Sequence, residues 1–434
     1  MHNFQAHTKK IREEMLKTIG VSSIDDLFNQ IPVSARTGKL NLDKPLNEFE
    51  ASVEVENLAK QNNTDYLNFM GAGAYDHFIP AAVGEITSRF EFNTAYTPYQ
   101  AEISQGTLQS IYEFQTLICN LTGMDVATAS HYDAGTACAE AILMSTRINK
   151  IKKVLISDCI NPQYLQVVKT YLNANDIEFD ILKSKDLKTD IEDLKQKVNS
   201  GIYACTLLQM PNFYGSLEDI DEIKNIFENN KNILIACVNP MTLSVLKSPE
   251  KYGAQIVVGD TQPFGCPISF GGAYCGFIAT LDKHKRQLAG RIVGKTVDKD
   301  GNRAFCLTLQ AREQHIRREK ATGNICSNQG LNALTAVIYL ALMGEKGLKD
   351  VAYLSSKNAH DLANELQKNS IKVLNKDFFN EFVCEVNDSD KFLTQMKKNN
   401  ILAGVKLDDK RILVATTEKN SSSAQKEYIK ALGV

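Results

Sequence analysis

The 434-residue sequence lacks a pronounced excess of either charge. It contains 49 Lys and Arg against 51 Asp and Glu, a formal net charge of −2. Proteins that bind nucleic acids or anionic membranes do so through clustered positive charge, and this balance provides none in excess. We therefore expect no nucleic-acid partner and no membrane partner.

Long apolar runs and paired cysteines are lacking as well. No uninterrupted apolar stretch of about 18 residues occurs, which excludes a membrane-spanning helix, and the opening MHNFQAHTKKIREEMLK is polar, unlike a signal peptide. The ten cysteines are scattered singly, with no C-x-x-C pair and no tight Cys/His cluster. This distribution indicates reduced, buried thiols, no metal site and a cytoplasmic protein.

Short apolar runs alternate with helical segments through the middle of the chain. The runs are KVLISD (153–158), IEFDIL (177–182), YACTLLQM (203–210), ILIACV (233–238), AQIVVG (254–259) and YCGFIATL (274–281). Helical segments separate the first four, which indicates right-handed crossovers between parallel strands. We predict an α/β fold with a mainly parallel central sheet and helices on both faces.

The texture of the sequence changes twice along the chain. Residues 1–60 have helical character, with a break at GVSSIDDLFNQIP where Ser22 or Ser23 can cap a short helix. After residue 330 a helix, NALTAVIYLALMG, is followed by shorter units around FVCEV and RILVATTE. We predict an N-terminal helical arm (1–60), a large α/β domain (61–330) and a small C-terminal α+β domain (331–434).

One expected lysine is missing from the exit of a predicted strand. Ligands of open α/β sheets bind at the carboxyl ends of the strands, and in one large class of α/β enzymes a lysine there forms a Schiff base with pyridoxal phosphate. The segment GDTQPFGCPISFGGAYCGF (259–277) has the form of such an exit, yet no lysine occurs between Lys251 and Lys283. Asn239, at the end of another strand, cannot supply the charge with which an aspartate holds a proton on the pyridine nitrogen. The simpler interpretation of Asn239 is a turn before Pro240.

The segment HYDAGTACAEAILMS (131–145) places Asp133, Gly135 and Thr136 at the start of a predicted helix. Free N–H groups and the positive end of the helix dipole make such a place a natural phosphate seat, with His131 lying over a flat ring. The alternative is that Asp133 is an ordinary N-cap and His131 a surface histidine.

Three further segments carry polar side chains of possible function. NTAYTPYQAEISQG (93–106) places Tyr96 and Tyr99 around a proline, as in pockets and interfaces or in ordinary packing. The charge-rich REQHIRREK (312–320) is typical of a solvated helix face and follows a predicted hairpin at Asp300-Gly301. ATGNICSNQ (321–329) crowds uncharged hydrogen-bonding groups suited to anion or interface contacts.

Long blocks of the sequence resemble one known family. They are GAGAYDHFIP, EFNTAYTPYQAEISQGTLQSIYEFQTLICNLTGMDVATAS, YDAGTACAEA, GRIVGKTVDKDGNRAFCLTLQAREQHIRREKATGNIC and FFNEFV. The chain is similar, from about residue 10 to 430, to the first (alpha) subunits of two-chain P-proteins of the glycine cleavage system.

This resemblance implies a fold-type-I pyridoxal-phosphate transferase-like architecture and assembly with a second P-protein subunit as an α2β2 heterotetramer. The implied reaction is decarboxylation of glycine, with transfer of the aminomethyl group to the lipoyl arm of H-protein. Only the second subunit of the family carries the Schiff-base lysine. The resemblance thus implies that pyridoxal phosphate is held covalently by the partner, and that no residue of this chain is catalytic.

By analogy with the fold class, the resemblance also implies which residues reach the partner's site. Thr322, with Asn324 and Ser327, would contact the partner's cofactor, and the glycine or lipoyl side of its pocket would be lined by Tyr96, Thr97, Tyr99 and Gln100. The family more often has Ser at position 323, where Gly323 stands here, and Thr at position 327. Two alternatives stay open: a self-sufficient pyridoxal enzyme using another lysine such as Lys320, and a non-catalytic scaffold that docks the partner subunit or H-protein.

Overall fold

The computed structural model describes residues 7–38, 40–323, 325 and 328–433. The chain divides into two units between Thr64 and Asp65. The first unit contains helices α1 (Lys9–Ile19) and α2 (Glu48–Ala59), and neither described helix buries a side chain. In the predicted break between them, the Ser23 hydroxyl accepts a hydrogen bond from the Asp26 N–H at 3.2 Å. A further division at residue 330 stays a prediction.

The second unit contains the remaining helices and all of the described strands. The helices are α3 (Ala81–Thr87), α4 (Phe90–Asn93), α5 (Gln105–Thr122), α6 (Ala134–Asn149), α7 (Pro162–Ala174), α8 (Ile191–Asn199), α9 (Ile220–Phe227), α10 (Gln314–Arg317), α11 (Gly330–Lys368), α12 (Ser389–Lys398) and α13 (Ser422–Ala431). The strands are β1 (Leu67–Asn68), β2 (Val126–Ala127), β3 (Lys153–Ser157), β4 (Glu178–Leu182), β5 (Ser184–Lys185), β6 (Lys188–Thr189), β7 (Cys205–Met210), β8 (Ile233–Val238), β9 (Ile256–Asp260), β10 (Gly276–Thr280), β11 (Ile292–Val297), β12 (Arg303–Thr308), β13 (Lys372–Val373), β14 (Glu381–Glu385), β15 (Ile401–Leu402), β16 (Val405–Lys406) and β17 (Arg411–Ala415).

A seven-stranded sheet, in the order β2-β10-β9-β8-β7-β3-β4, forms the centre of this unit. Strands β9, β8, β7, β3 and β4 are parallel to one another, and β10 is antiparallel to both β9 and β2. All six predicted strands are present, and the mainly parallel sheet is confirmed. The short strand β2 was not predicted.

Both faces of the central sheet are covered by helices. Successive side chains of a buried strand point to opposite faces, so neighbouring residues of β9 pack against different helices. Val257 belongs to a core with α5, α8, α9 and α11, whereas Ile256 and Val258 belong to a second core with α6 and α7. Seven of the described cysteines are buried, among them Cys138 and Cys237. The predicted layering of helices on both faces is therefore confirmed.

A smaller antiparallel sheet, β13-β14-β17-β16, follows the long helix α11. Phe382, Val414 and Tyr428 are fully buried in a separate apolar core there. The helix predicted at 332–344 continues to Lys368 across a break at Gly344, whose φ of 60° lies in the left-handed region open to glycine. The predicted hairpin at Asp300-Gly301 is confirmed as β11–β12. Among the described residues no helix is both long and apolar enough to cross a bilayer.

Candidate functional site

A small pocket lies where the carboxyl ends of β7, β8 and β9 meet. Strands β4 and β7 lie on opposite sides of β3, so the order of the strands reverses near this edge, which is where open α/β sheets bind ligands. The pocket has a volume of about 30 Å³, room for only one or two water molecules. Its walls include Tyr75, Tyr164, Gln209, Asn239, Asp260 and Glu381.

The Asp260 carboxylate closes one side of this pocket by taking three backbone hydrogen bonds. It accepts from the N–H groups of Gln262, Cys275 and Ala134 at 2.9, 3.2 and 3.2 Å. Ala134 is the first residue of α6, so an internal carboxylate lies at the helix end where a ligand phosphate would bind. Burial raises the pKa of Asp260 to about 6.

The predicted phosphate seat at the start of α6 is capped by its own sequence. Asp133 accepts from the Thr136 N–H at 2.7 Å, and the Thr136 hydroxyl accepts from the Asp133 N–H at 3.1 Å. The N-cap interpretation is therefore confirmed. The surface position suggested for His131 is wrong, because its backbone pairs with Gly276 and its side chain is fully buried. Burial lowers the pKa of His131 to about 3, so the ring is neutral at physiological pH.

Gln262 is a buried residue of the loop 259–277, which contains no lysine. Its side-chain oxygen accepts from the Tyr75 N–H at 2.9 Å, and its side-chain nitrogen donates to the carbonyls of Tyr75 and Cys266 at 2.9 and 2.8 Å. An amide can satisfy all of these backbone groups because it carries both an acceptor and donors. Gln262 thereby fastens the glycine-rich loop 71–75 over the strand exit.

Glu381, at the start of β14, holds the same loop from the other side. Its carboxylate accepts from the Tyr75 hydroxyl at 2.5 Å and from the Ala72 N–H at 2.6 Å. Burial raises the pKa of Glu381 to about 7. A short unit was predicted around FVCEV, but the role of Glu381 could not be predicted because its partners lie far away along the chain.

We expect Glu381→Gln to remove part of the pH dependence of stability. A carboxyl whose folded-state pKa is raised from 4.5 to about 7 stabilises the fold at low pH, and this stabilisation is lost as the pH rises from about 4.5 through 7. A glutamine can still accept from Ala72 and donate to the Tyr75 oxygen. Urea unfolding at pH 5 and pH 8 should show the variant gaining up to about 3 kcal/mol relative to the parent between the two pH values. An unchanged difference would contradict this assignment.

Asn239 serves as a turn residue, as the simpler interpretation predicted. Its side-chain oxygen accepts from the Met241 N–H at 3.1 Å at the start of a short 3-10 helix. The described residues that line the pocket include no lysine. Lys320 lies on an exposed 3-10 turn outside the lining. Pyridoxal phosphate does not fit this chain's own pocket, because internal side chains fill the space and take the anion-binding groups.

A larger cavity, of about 230 Å³, lies beside residues 96–100, the tyrosine loop, which are predicted to bind substrate. It is enclosed by that loop, α5 and the start of α11, with walls that include Phe92, Tyr96, Thr97, Ile111, Asn328 and Leu331. Tyr96 and Thr97 are thus placed together at one cavity. Gln100 is exposed just before a 3-10 turn and is not part of the wall.

Arg291 joins the tyrosine loop to the segment that contains Thr322. Its guanidinium donates to the Tyr99 hydroxyl at 2.9 Å and to the Asn328 side-chain oxygen at 3.2 Å. Arg291 was not among the predicted site residues. A clue would have been its position beside a glycine in the resembling block GRIVGK, since a charged side chain directly before a buried strand needs polar partners.

Thr322 lies in a turn, and its backbone N–H donates to the Arg312 carbonyl at 3.0 Å. The Arg312 side chain donates in turn to the carbonyls of Leu288 and Gly290. The interpretation of REQHIRREK as a solvated face is therefore wrong for its first two residues, since Arg312 is half-buried and the Glu313 side chain is 9% exposed. Asn324 and Ser327 lie outside the described residues.

Position 323 leaves little room for the serine that the resemblance implies there. A Cβ atom on Gly323 would lie 2.6 Å from the Ala289 Cβ and 3.2 Å from a carboxylate oxygen of Glu140.

Among the described residues, no group of three or more His, Cys, Asp or Glu side chains could hold a metal ion.

Solved structures define the class to which this fold belongs. The chain superposes on glutamate decarboxylase of Lactobacillus brevis with a TM-score of 0.68, covering 94% of this chain and 96% of that one. The sequence identity is 12%, so the likeness is one of fold alone. The fold is that of the fold-type-I pyridoxal-phosphate enzymes, as predicted.

More similar proteins define the family. The family described as "Glycine cleavage system P-protein" matches residues 2–432. A crystal structure of glycine decarboxylase (P-protein) of the glycine cleavage system, in inhibitor-bound form, superposes with a TM-score of 0.93 at 36% identity, over 99% of both chains. The chain is 45% identical to "Probable glycine dehydrogenase (decarboxylating) subunit 1" of Geobacillus thermodenitrificans, over 100% of this chain and 99% of that protein.

The chain belongs to the glycine cleavage system P-protein family. It is therefore a component of the decarboxylating glycine dehydrogenase. The relative's name, subunit 1, implies a second subunit in the same enzyme.

Proposed function

We propose that this chain is the subunit of an α2β2 glycine dehydrogenase (decarboxylating) that does not carry the cofactor. Pyridoxal phosphate is bound covalently by the second subunit, glycine is decarboxylated there, and the aminomethyl group passes to the lipoyl arm of H-protein in the cytoplasm. The observation that carries the proposal is the closed pocket: Asp260, Gln262 and Glu381 fill the strand exit with their own hydrogen bonds.

In this proposal the chain acts through the two loops that meet at Arg291. Tyr96, Thr97, Tyr99 and Gln100 line the glycine or lipoyl side of the partner's pocket, and Thr322, with Asn324 and Ser327, contacts the partner's cofactor phosphate. The exposure of Tyr96 (79%) and Tyr99 (51%) supports this role, because large aromatic side chains with polar tips are enriched where chains meet.

The chemistry requires a dry site more than additional catalytic groups. The electron pair left by departing carbon dioxide needs an electron sink, which pyridoxal phosphate supplies. The loops of this chain would exclude water and orient the bond that breaks, so that binding energy is used where the charge changes.

The proposal is tested by purifying this chain alone and together with the second subunit. We expect glycine–bicarbonate exchange only from the complex, and borohydride reduction to fix the cofactor on the second subunit alone. Borohydride labelling of this chain would overturn the proposal and favour the self-sufficient alternative. Loss of that label in Lys320→Arg would then identify the lysine.

Thr322→Ala in the assembled enzyme separates a contributor to the active site from a scaffold. A hydrogen bond to a phosphate is worth about 1.5–3 kcal/mol, so we expect cofactor affinity to fall at least about tenfold. Thr322→Ser keeps the hydroxyl and should restore most of that affinity. Unchanged cofactor affinity and turnover in Thr322→Ala would favour the scaffold that only docks the partner or H-protein.

A further inference from the structure

Arg291 is a buried cation whose guanidinium donates hydrogen bonds to the tyrosine loop and to Asn328. Its side chain is 4% exposed, and its Nε lies 3.7 Å from a carboxylate oxygen of Glu313, which is 9% exposed. A buried guanidinium is tolerated only when charged and polar partners surround it. Its bonds to Tyr99 and Asn328 therefore fix the relative position of two loops from separate parts of the chain.

The ring of Tyr99 is held on two sides. The Arg291 guanidinium carbon lies 5.4 Å from the ring centroid, and the His315 ring packs against it edge to face at 5.3 Å. Tyr99 nevertheless remains 51% exposed. The ring is thus fixed from the protein side while one part of it stays open.

The hydrogen bond from Arg291 also determines what the Tyr99 hydroxyl can do. A phenol has one proton to donate, and guanidinium groups only donate. The Tyr99 oxygen accepts from Arg291 at 2.9 Å, so its own proton is left for a partner other than Arg291. The natural partner for such a donor is an anionic oxygen, because charge-assisted hydrogen bonds are the strong ones.

We propose that Arg291 is a positioning residue that orients the Tyr99 hydroxyl to donate a hydrogen bond to the carboxylate of glycine. The proposal rests on the proposed function, in which the tyrosine loop faces the substrate side of the partner's pocket. Tyr99 makes the contact, and Arg291 acts through Tyr99.

This role has a distinct kinetic signature. The substrate carboxylate loses its negative charge as carbon dioxide forms, so a hydrogen bond to it is stronger in the bound ground state than in the transition state. Losing that bond therefore weakens substrate binding more than it slows the chemical step. A group that stabilised the transition state would show the opposite pattern.

The test measures glycine–bicarbonate exchange in the assembled enzyme. We expect Tyr99→Phe and Arg291→Gln each to raise KM for glycine about tenfold, with kcat equal to that of the parent or higher. The double variant should be no worse than the worse single variant, because both changes remove the same hydrogen bond. Arg291→Lys keeps one donor for the Tyr99 oxygen and should recover part of the loss.

Methylamine, which is glycine without its carboxylate, provides the specific probe. Its competitive inhibition constant should be unchanged in Tyr99→Phe, whereas KM for glycine rises. Arg147→Gln is the matched control, since Arg147 donates to the Gln287 carbonyl at 3.0 Å rather than to Tyr99. It should lower stability without changing KM.

Several results would overturn the proposal. One is an unchanged KM for glycine in Tyr99→Phe. Another is a loss of methylamine affinity in that variant as large as the rise in KM for glycine. A third is additive effects on KM in the double variant. If Arg291→Gln does not fold, Tyr99→Phe with the methylamine comparison decides alone. Failure here with borohydride labelling only on the second subunit would reject the role of Arg291 and leave the proposed function intact.

Discussion

Asp260→Ala should destabilise the protein by about 4 kcal/mol at pH 5, because it leaves three buried backbone N–H groups without their acceptor. The effect should be smaller at pH 8. Burial raises the pKa of Asp260 from 3.8 to about 6, so the parent loses stability as the pH rises through that interval and the alanine variant does not. Urea unfolding monitored by circular dichroism at the two pH values measures both effects.

Asp133→Ala is the matched control for this prediction. Asp133 also accepts a backbone N–H at the start of α6, but at a half-buried N-cap where water can replace it. The loss there should be about 1 kcal/mol. Equal losses for the two variants would show that Asp260 is an ordinary capping residue rather than the closure of a pocket.

Gly215→Ala should cost about 4 kcal/mol or prevent folding. Gly215 has a φ of 80°, and a Cβ atom there would overlap with the carbonyl group of Glu381. Both the left-handed backbone and the overlap are unfavourable, and the neighbouring atoms are backbone that cannot turn away. Thermal unfolding or the yield of folded protein measures the loss.

Gly253→Ala separates the two contributions. Gly253 has a nearly identical φ of 87°, but no atom lies within 4 Å of the position that a Cβ would occupy. We expect a loss of only about 1 kcal/mol from the backbone conformation. If Gly253→Ala is as damaging as Gly215→Ala, close packing against β14 is not the reason for glycine at position 215.

The central sheet could be predicted because its strands are buried on both faces and therefore consist of continuous apolar runs. ILIACV (233–238) matches β8 at both ends. The direction of β10 was not predicted. No described helix lies between β9 and β10, so this connection lacks the crossover that parallel neighbours require, and the strand returns antiparallel.

The candidate site could be predicted only where its contacts are local. The capping of α6 by Asp133 and the turn at Asn239 each involve neighbours within three residues, and both followed from residue type. The burial of His131 depends on Gly276, and the role of Glu381 depends on Tyr75 and Ala72. Such long-range pairs leave no periodic signal in a single sequence.

The charged segment after β12 illustrates the same limit. Arg312 and Glu313 look like the rest of REQHIRREK by composition, yet they turn inward to backbone carbonyls and to Arg291. Arg312 faces inward because the carbonyls of Leu288 and Gly290 lie within its reach, and these residues are distant from it in the sequence. The resemblance to a family identified the loops that contain Tyr99 and Thr322, but not the contacts of Arg291 that connect them.

The closed strand exit also has a consequence for the stability of this polypeptide. A ligand raises the population of a folded protein only by binding to it, in proportion to the free concentration of that ligand. Asp260 and Gln262 already occupy the strand exit with internal hydrogen bonds, so the fold is stabilised at that place by its own side chains and not by a ligand.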